Sequence, residues 1–286
     1  MKEEQSFRLW ALPPDMISEV TARHSIETMI PDGLRAMFGG QFAAQPADPI
    51  RTGATVVLPI DGVLTPKGSW GGTSLDKLAD RVREFAADNK IGAIVLRVSS
   101  PGGTVYGTQE AADAIFEARQ SKPVVAVATP MAASAAYWLA SQATAFYASP
   151  SADVGSVGVY AGHTDKSGFE EKIGMKTTLV AAGPKKIQGH PYAPLDETAL
   201  GDMQASVDES YQAFLKAVAR GRGVTPDVIQ ENHGQGAMVS AQKALSSGMI
   251  DGVMTLRDVI AKYSSSRTRL SLMRRRAALV GRAIEF

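Results

Sequence analysis

Ser134 lies within Met131-Ala132-Ala133-Ser134-Ala135-Ala136-Tyr137, and Gly183-Pro184-Lys185-Lys186 follows 52 residues later. A serine hydroxyl is a weak nucleophile at neutral pH and needs a neighbour to take its proton. A desolvated lysine with a lowered pKa can do this without His or Asp. A third segment, Ser99-Ser100-Pro101-Gly102-Gly103, adds backbone to that chemistry. Adjacent glycines let N–H groups approach a substrate oxygen, and preorganised donors of this kind stabilise the oxyanion of acyl transfer. Each segment also has an ordinary reading: Ser134 as a helix cap or small packing residue, Lys186 as a solvated charge, the glycine pair as a turn. The chemical reading rests on all three occurring together, in an order that one edge of an α/β sheet can gather.

The elements that must position these groups follow from periodicity. Residues 56–60 and 91–98 are short β-branched apolar runs that read as buried strands, and Leu75, Leu78, Ala79, Val82, Phe85 and Ala86 recur at helical spacing between them. The alternation continues with a helix over 111–118, a strand over 123–128 and an Ala-rich helix over 132–141. Strands over 144–148 and 157–160, a short helix over 169–173 and a strand over 176–180 follow. This predicts a parallel α/β architecture with right-handed crossovers. The glycine pair then falls beyond the carboxyl end of a strand, where such sheets carry their functional loops. Ser134 falls near a helix N-terminus. From 196 to about 220 a long amphipathic helix is expected, ending at Gly221-Arg222-Gly223. A helix from the Thr225-Pro226-Asp227 cap and another over 240–247, closed by Gly248, come after it.

Composition removes several classes. The chain has 286 residues, 44% hydrophobic and 21% charged, which is enough to bury a core. A formal net charge of +1 gives no whole-protein attraction to nucleic acid or to an anionic membrane. The absence of Cys excludes disulfides, thiolate zinc sites and a cysteine nucleophile. His24, His163, His190 and His233 have no ligand partner at metal-site spacing, so neither metal nor cofactor is expected. His163-Thr164-Asp165 offers a weaker Ser-His-Asp alternative with Ser134. There is no signal-like or membrane-length apolar stretch, which predicts a soluble cytoplasmic protein. Arg267, Arg269, Arg274, Arg275, Arg276 and Arg282 make the tail basic, a feature read as a solvated terminal helix.

Taken together, Ser-Pro-Gly-Gly at 100–103, Ala-Ala-Ser with small residues and Tyr at 132–137, Gly-Ser-Val-Gly-Val at 155–159 and Gly-Pro-Lys-Lys at 183–186 resemble the signal peptide peptidase A family of Ser-Lys peptidases. Gly248-Met249-Ile250-Asp251 is similar to that family's closing segment, and the resemblance covers about residues 54–260. It implies an α/β fold of the Clp protease/crotonase type, a ββα spiral with C-terminal helices that assembles into oligomers. Carried over by position, Ser134 is the nucleophile and Lys186 the general base, with Lys185 its rival, and Ser156 orients the lysine. The N–H groups of Gly103 and Ala135 are the oxyanion donors, and Gly102 shapes the turn. Ala135-Ala136 stands where two glycines are common, a departure that bears on substrate clearance rather than on catalysis. Trp10-Ala11-Leu12-Pro13 and His190-Pro191-Tyr192-Ala193-Pro194-Leu195 are similar to the phage head maturation (minor capsid protein C-like) subgroup.

The expectation is therefore an arm and linker over 1–53, a peptidase domain over 54–262 and a basic tail over 263–286. It is a serine endopeptidase acting through an acyl-enzyme, with a rate that rises above neutral pH because lysine must be neutral to accept a proton. Its partners would be a protein or peptide substrate, such as phage scaffold, portal or capsid protein in an assembling prohead, and further copies of itself, with no nucleic acid or membrane. The alternatives are a non-catalytic assembly protein on the same fold, a cytoplasmic peptide-degrading peptidase and a crotonase-like acyl-CoA enzyme. The last would want acidic catalytic residues and an adenine site, and neither is evident near the glycines.

Overall fold

The computed structural model describes residues 9–11, 48–68 and 71–264. His24, most of the expected arm, and the basic tail from 265 onward lie outside the described residues. Two short strands, β1 (Leu9–Ala11) and β2 (Ile50–Thr52), precede β3 (Thr55–Thr65) and β4 (Thr73–Ser74). Strand and helix then alternate through α1 (Leu75–Ala87), β5 (Ala93–Thr104), α2 (Thr108–Ser121), β6 (Val124–Ala133), α3 (Ala135–Ser141) and β7 (Ala145–Ala148). Small elements follow: β8 (Asp153–Gly155), β9 (Tyr160–Ala161) and α4 (Ser167–Lys172). The C-terminal part consists of α5 (Glu197–Arg222), α6 (Pro226–Asn232), β10 (Met238–Ser240), α7 (Ala241–Ser246), β11 (Gly252–Val253) and α8 (Leu256–Ser264).

β3, β5, β6 and β7 pair side by side in parallel, as the alternation of strand and helix predicts. The shorter strands join them in one sheet of 11 described strands. Period-2 alternation sorts the side chains onto two faces. Val56, Leu58, Ile60, Ile94, Leu96, Val98, Val124 and Ala126 face the main core with residues of α1, α2 and α3. Val57, Val95, Val125 and Val127 face the other way and pack with Val259 and Tyr263 of α8. Covering both faces is why these strands read as unbroken apolar runs. α8 was not among the expected elements, although Val259 and Tyr263 stand at helical spacing.

Four expectations are corrected, the first being the strand over 157–160, of which only the two-residue β9 at its end forms. β5 does not end at Val98 but runs on to Thr104 alongside β3, with Val63 opposite Gly102 and Leu64 opposite Gly103, so the glycine pair is a bent strand extension rather than a turn. β6 runs through Ala132 and Ala133, so the following helix starts at Ala135. Residues 176–180 form no strand, and Val180 is 94% exposed. Apolar β-branched residues make a strand only where a neighbouring edge completes the ladder, and this segment has no such edge.

A buried polar cluster ties the C-terminal part to the sheet. Asp251 accepts hydrogen bonds from Phe146 N (2.8 Å) and from Arg222 Nη1 (3.0 Å) and Nη2 (3.2 Å), with both side chains of the ion pair about one-tenth exposed. Arg222 also donates to Gly248 O. This is the physical content of the Gly248–Asp251 segment: Gly248 (φ 76°) ends the helix and Asp251 fastens α5 to β7. Asp251→Ala should leave a nearly buried guanidinium uncompensated and cost about 3–5 kcal/mol in urea unfolding. A loss under about 1 kcal/mol would contradict this account.

His233 is 2% exposed and meets the Tyr137 ring edge-on at 6.2 Å, and neither ring nitrogen has a partner at hydrogen-bond geometry. Burial, reinforced by the Arg222 charge and opposed by the Val228 backbone, pushes its pKa down to about 4. In the unfolded chain the group titrates near 6.5. The folded form thus resists protonation, and stability present above pH 6.5 is lost as pH falls from 6.5 toward 4, by up to about 3 kcal/mol. The urea midpoint should drop over that window, and the drop should shrink in His233→Phe.

Candidate active site

Ser134 sits at the junction of β6 and α3. The parallel pairing of Ala133 with Gly155 delivers it beside Ser156, and Ser134 N donates to Gly155 O at 2.7 Å. The side chain is 1% exposed, and its Oγ donates to Gly158 O at 3.5 Å. Its backbone, at φ 53° and ψ −119°, lies in a region that glycine favours. Among the described residues three non-glycine positions have positive φ: Ser134, Ser156 (φ 52°) and Gln235 (φ 48°). Such conformations cost on the order of 1–3 kcal/mol each and gather at functional sites. Two of the three are the serines that the motifs single out.

The strand extension beside them is held as tightly. Ser100, 1% exposed, donates from Oγ to Gly62 O (2.6 Å) and accepts from Gly102 N (3.1 Å). Gly102 has φ 105°, and a Cβ on Gly103 would stand 1.9 Å from Leu64 O, so no other residue fits there without moving β3. The role of Ser100 was not expected; its signal is a serine two residues before the amide it fixes, a familiar local pattern. Ala135 opens α3 and is fully buried. As the first helical residue, its N–H has no intrahelical acceptor. Ser156 is 7% exposed, and its N–H donates to Ala237 O at 2.9 Å, which anchors it to the segment entering β10. Tyr137, of the same motif as Ser134, belongs to the core: its hydroxyl donates to Met249 O (2.9 Å) and burial pushes its pKa up.

The lysines sit in the exposed stretch that follows the serines. Gly183 (φ 100°) starts a turn in which Lys186 N donates to Gly183 O, and both Lys185 and Lys186 are exposed. Lys185 Nζ is paired with Asp202 Oδ2 of α5 at 2.6 Å. No residue from 158 to 198 is buried, and this stretch exposes Phe169, Ile173, Met175 and Val180. His163 Nε2 shares a hydrogen bond with His190 O (3.0 Å) and Asp165 Oδ1 accepts from Ser167 N, so the alternative His-Asp pair serves this stretch rather than Ser134. Among the described residues no helix is long and apolar enough to cross a membrane.

A profile of peptidase family S49 matches residues 117–268, which include Ser134, Ser156, Lys186 and Asp251. Capsid assembly protease C of Escherichia phage lambda is 31% identical over 209 residues, 71% of this chain and 47% of that protein. Head-tail preconnector protein GP5 of Enterobacteria phage P21 is 29% identical over 215 residues, 73% of this chain and 42% of that protein. Protease 4 of Salmonella typhi is 33% identical over 221 residues, 75% of this chain and 35% of that protein. The chain thus spans less than half the length of each of these relatives.

Proposed function

The chain belongs to peptidase family S49, and from that premise we propose that it is a serine endopeptidase with Ser134 as nucleophile and Lys186 as general base. The observation that carries this reading is the strained Ser134 backbone at a strand-to-helix junction, next to the glycine extension of β5. In the reaction Ser134 Oγ attacks a peptide carbonyl and Lys186 takes its proton and passes it to the leaving amine. Water then attacks the acyl-enzyme by the same route. The N–H groups of Gly103 and Ala135 hold the oxyanion in both steps, and Ser156 orients the lysine.

The names of the two phage relatives support a capsid-related protein as substrate and an assembling prohead as the setting. The exposed apolar side chains of the 158–198 stretch, which carries Lys186, support a homo-oligomer that buries this stretch. A monomer at micromolar concentration in sedimentation analysis would count against that oligomer. The function is tested by incubating the full chain with an unfolded protein and with a fluorophosphonate probe. Cleavage together with an adduct on the Ser134 peptide is expected. A folded sample with neither would replace this reading by a non-catalytic assembly protein.

A further inference from the structure

β5 and β6 pair only as far as Ser100 opposite Ala132. Beyond that point they diverge. β6 turns to β8 (Met131 opposite Asp153, Ala133 opposite Gly155) and delivers Ser134, while β5 follows β3 as far as Leu64 opposite Gly103. The edge of β5 freed by this divergence is occupied by β1, antiparallel, with Trp10 opposite Thr104 and Ala11 opposite Gly103. The other edge of β1 carries β9, also antiparallel, with Leu9 opposite Ala161 and Trp10 opposite Tyr160. β9 begins two residues after Gly158, whose carbonyl receives the Ser134 hydroxyl.

β5 and β9 are therefore separated by the width of one strand, about 10 Å from strand to strand. Without β1, both would present unpaired N–H and C=O groups facing each other, which is a template for an extended peptide. We propose that residues 9–11 are the resident ligand of this slot. This chain's own segment lies where a substrate peptide would lie and must leave before one can bind. The inference rests on the peptidase reading for the identity of the competing ligand, but the occupancy itself rests on the strand pairings.

A tethered segment acts at an effective concentration on the order of 1 mM. An outside peptide with an intrinsic Kd of about 0.1 mM would then bind about tenfold more weakly than to an empty slot. Trp10→Pro should empty the slot, because proline lacks the amide proton and is excluded from a strand paired on both edges. The test uses the full chain carrying Ser134→Ala, with and without Trp10→Pro, and a fluorescein-labelled peptide of residues 6–15 read by anisotropy. About tenfold tighter binding to the Trp10→Pro chain is expected, and equal affinity for the two would overturn the proposal. Should Trp10→Pro fail to fold, amide exchange at residues 9–11 decides instead. Saturating unlabelled peptide should release their protection, and protection unchanged with peptide bound would refute the occupancy. The same substitution in chains retaining Ser134 separates the two readings. A binding gain with no cleavage in any chain would sink the peptidase and leave the slot. Cleavage with no change in binding would do the reverse.

Discussion

Ser134→Ala should lower cleavage of an unfolded protein by about 10⁴-fold or more and abolish the fluorophosphonate adduct. The chain should nevertheless fold as before. Removing the hydroxyl removes the attacking atom, whereas the bond it makes is a long one to Gly158 O and holds little together. A second substitution separates chemistry from strain. Ser134→Gly should be equally inactive yet more stable by about 1 kcal/mol, since glycine adopts φ 53°, ψ −119° without the Cβ penalty. An inactive but stabilised glycine variant is the signature of a residue kept for its reaction at a cost to the fold. Residual activity within tenfold of the parent in Ser134→Ala would remove this serine from the mechanism.

The lysine pair should divide sharply. Lys186→Ala should lower activity on the order of 10³-fold, the scale of losing a positioned general base. Lys185→Ala loses an exposed ion pair with Asp202, a contact worth no more than about 1 kcal/mol, and should keep its rate. If the two variants exchange these behaviours, the base is Lys185. If both stay active, the proton acceptor is another group. Urea unfolding of both variants belongs beside the rates, because a merely structural lysine would lower activity together with stability.

The amino-acid sequence by itself determined the alternation of strands and helices from 55 to 148 and the long helix ending at Gly223. It also determined which serine, glycines and lysines deserve attention. Those are local matters: β-branched runs, helical spacing and left-handed glycines write themselves into short windows. Where the glycines act was decided by tertiary structure. Gly102 and Gly103 read as a turn, yet the long edge of β3 keeps β5 extended to Thr104, and the nearness of Leu64 O to Gly103 arises only when that edge is in place. The strand character of 176–180 was misread because apolar alternation records a preference for a sheet but not whether an edge is available. The joining of Asp251 to Arg222 and Phe146, and of Ser100 to Gly62, crosses as many as 105 residues and leaves no periodic trace. The same holds for residues 9–11. Their composition suggests a helical or irregular arm, and only the edges of β5 and β9 make a strand of them, because a ladder hydrogen bond exists only when both strands do.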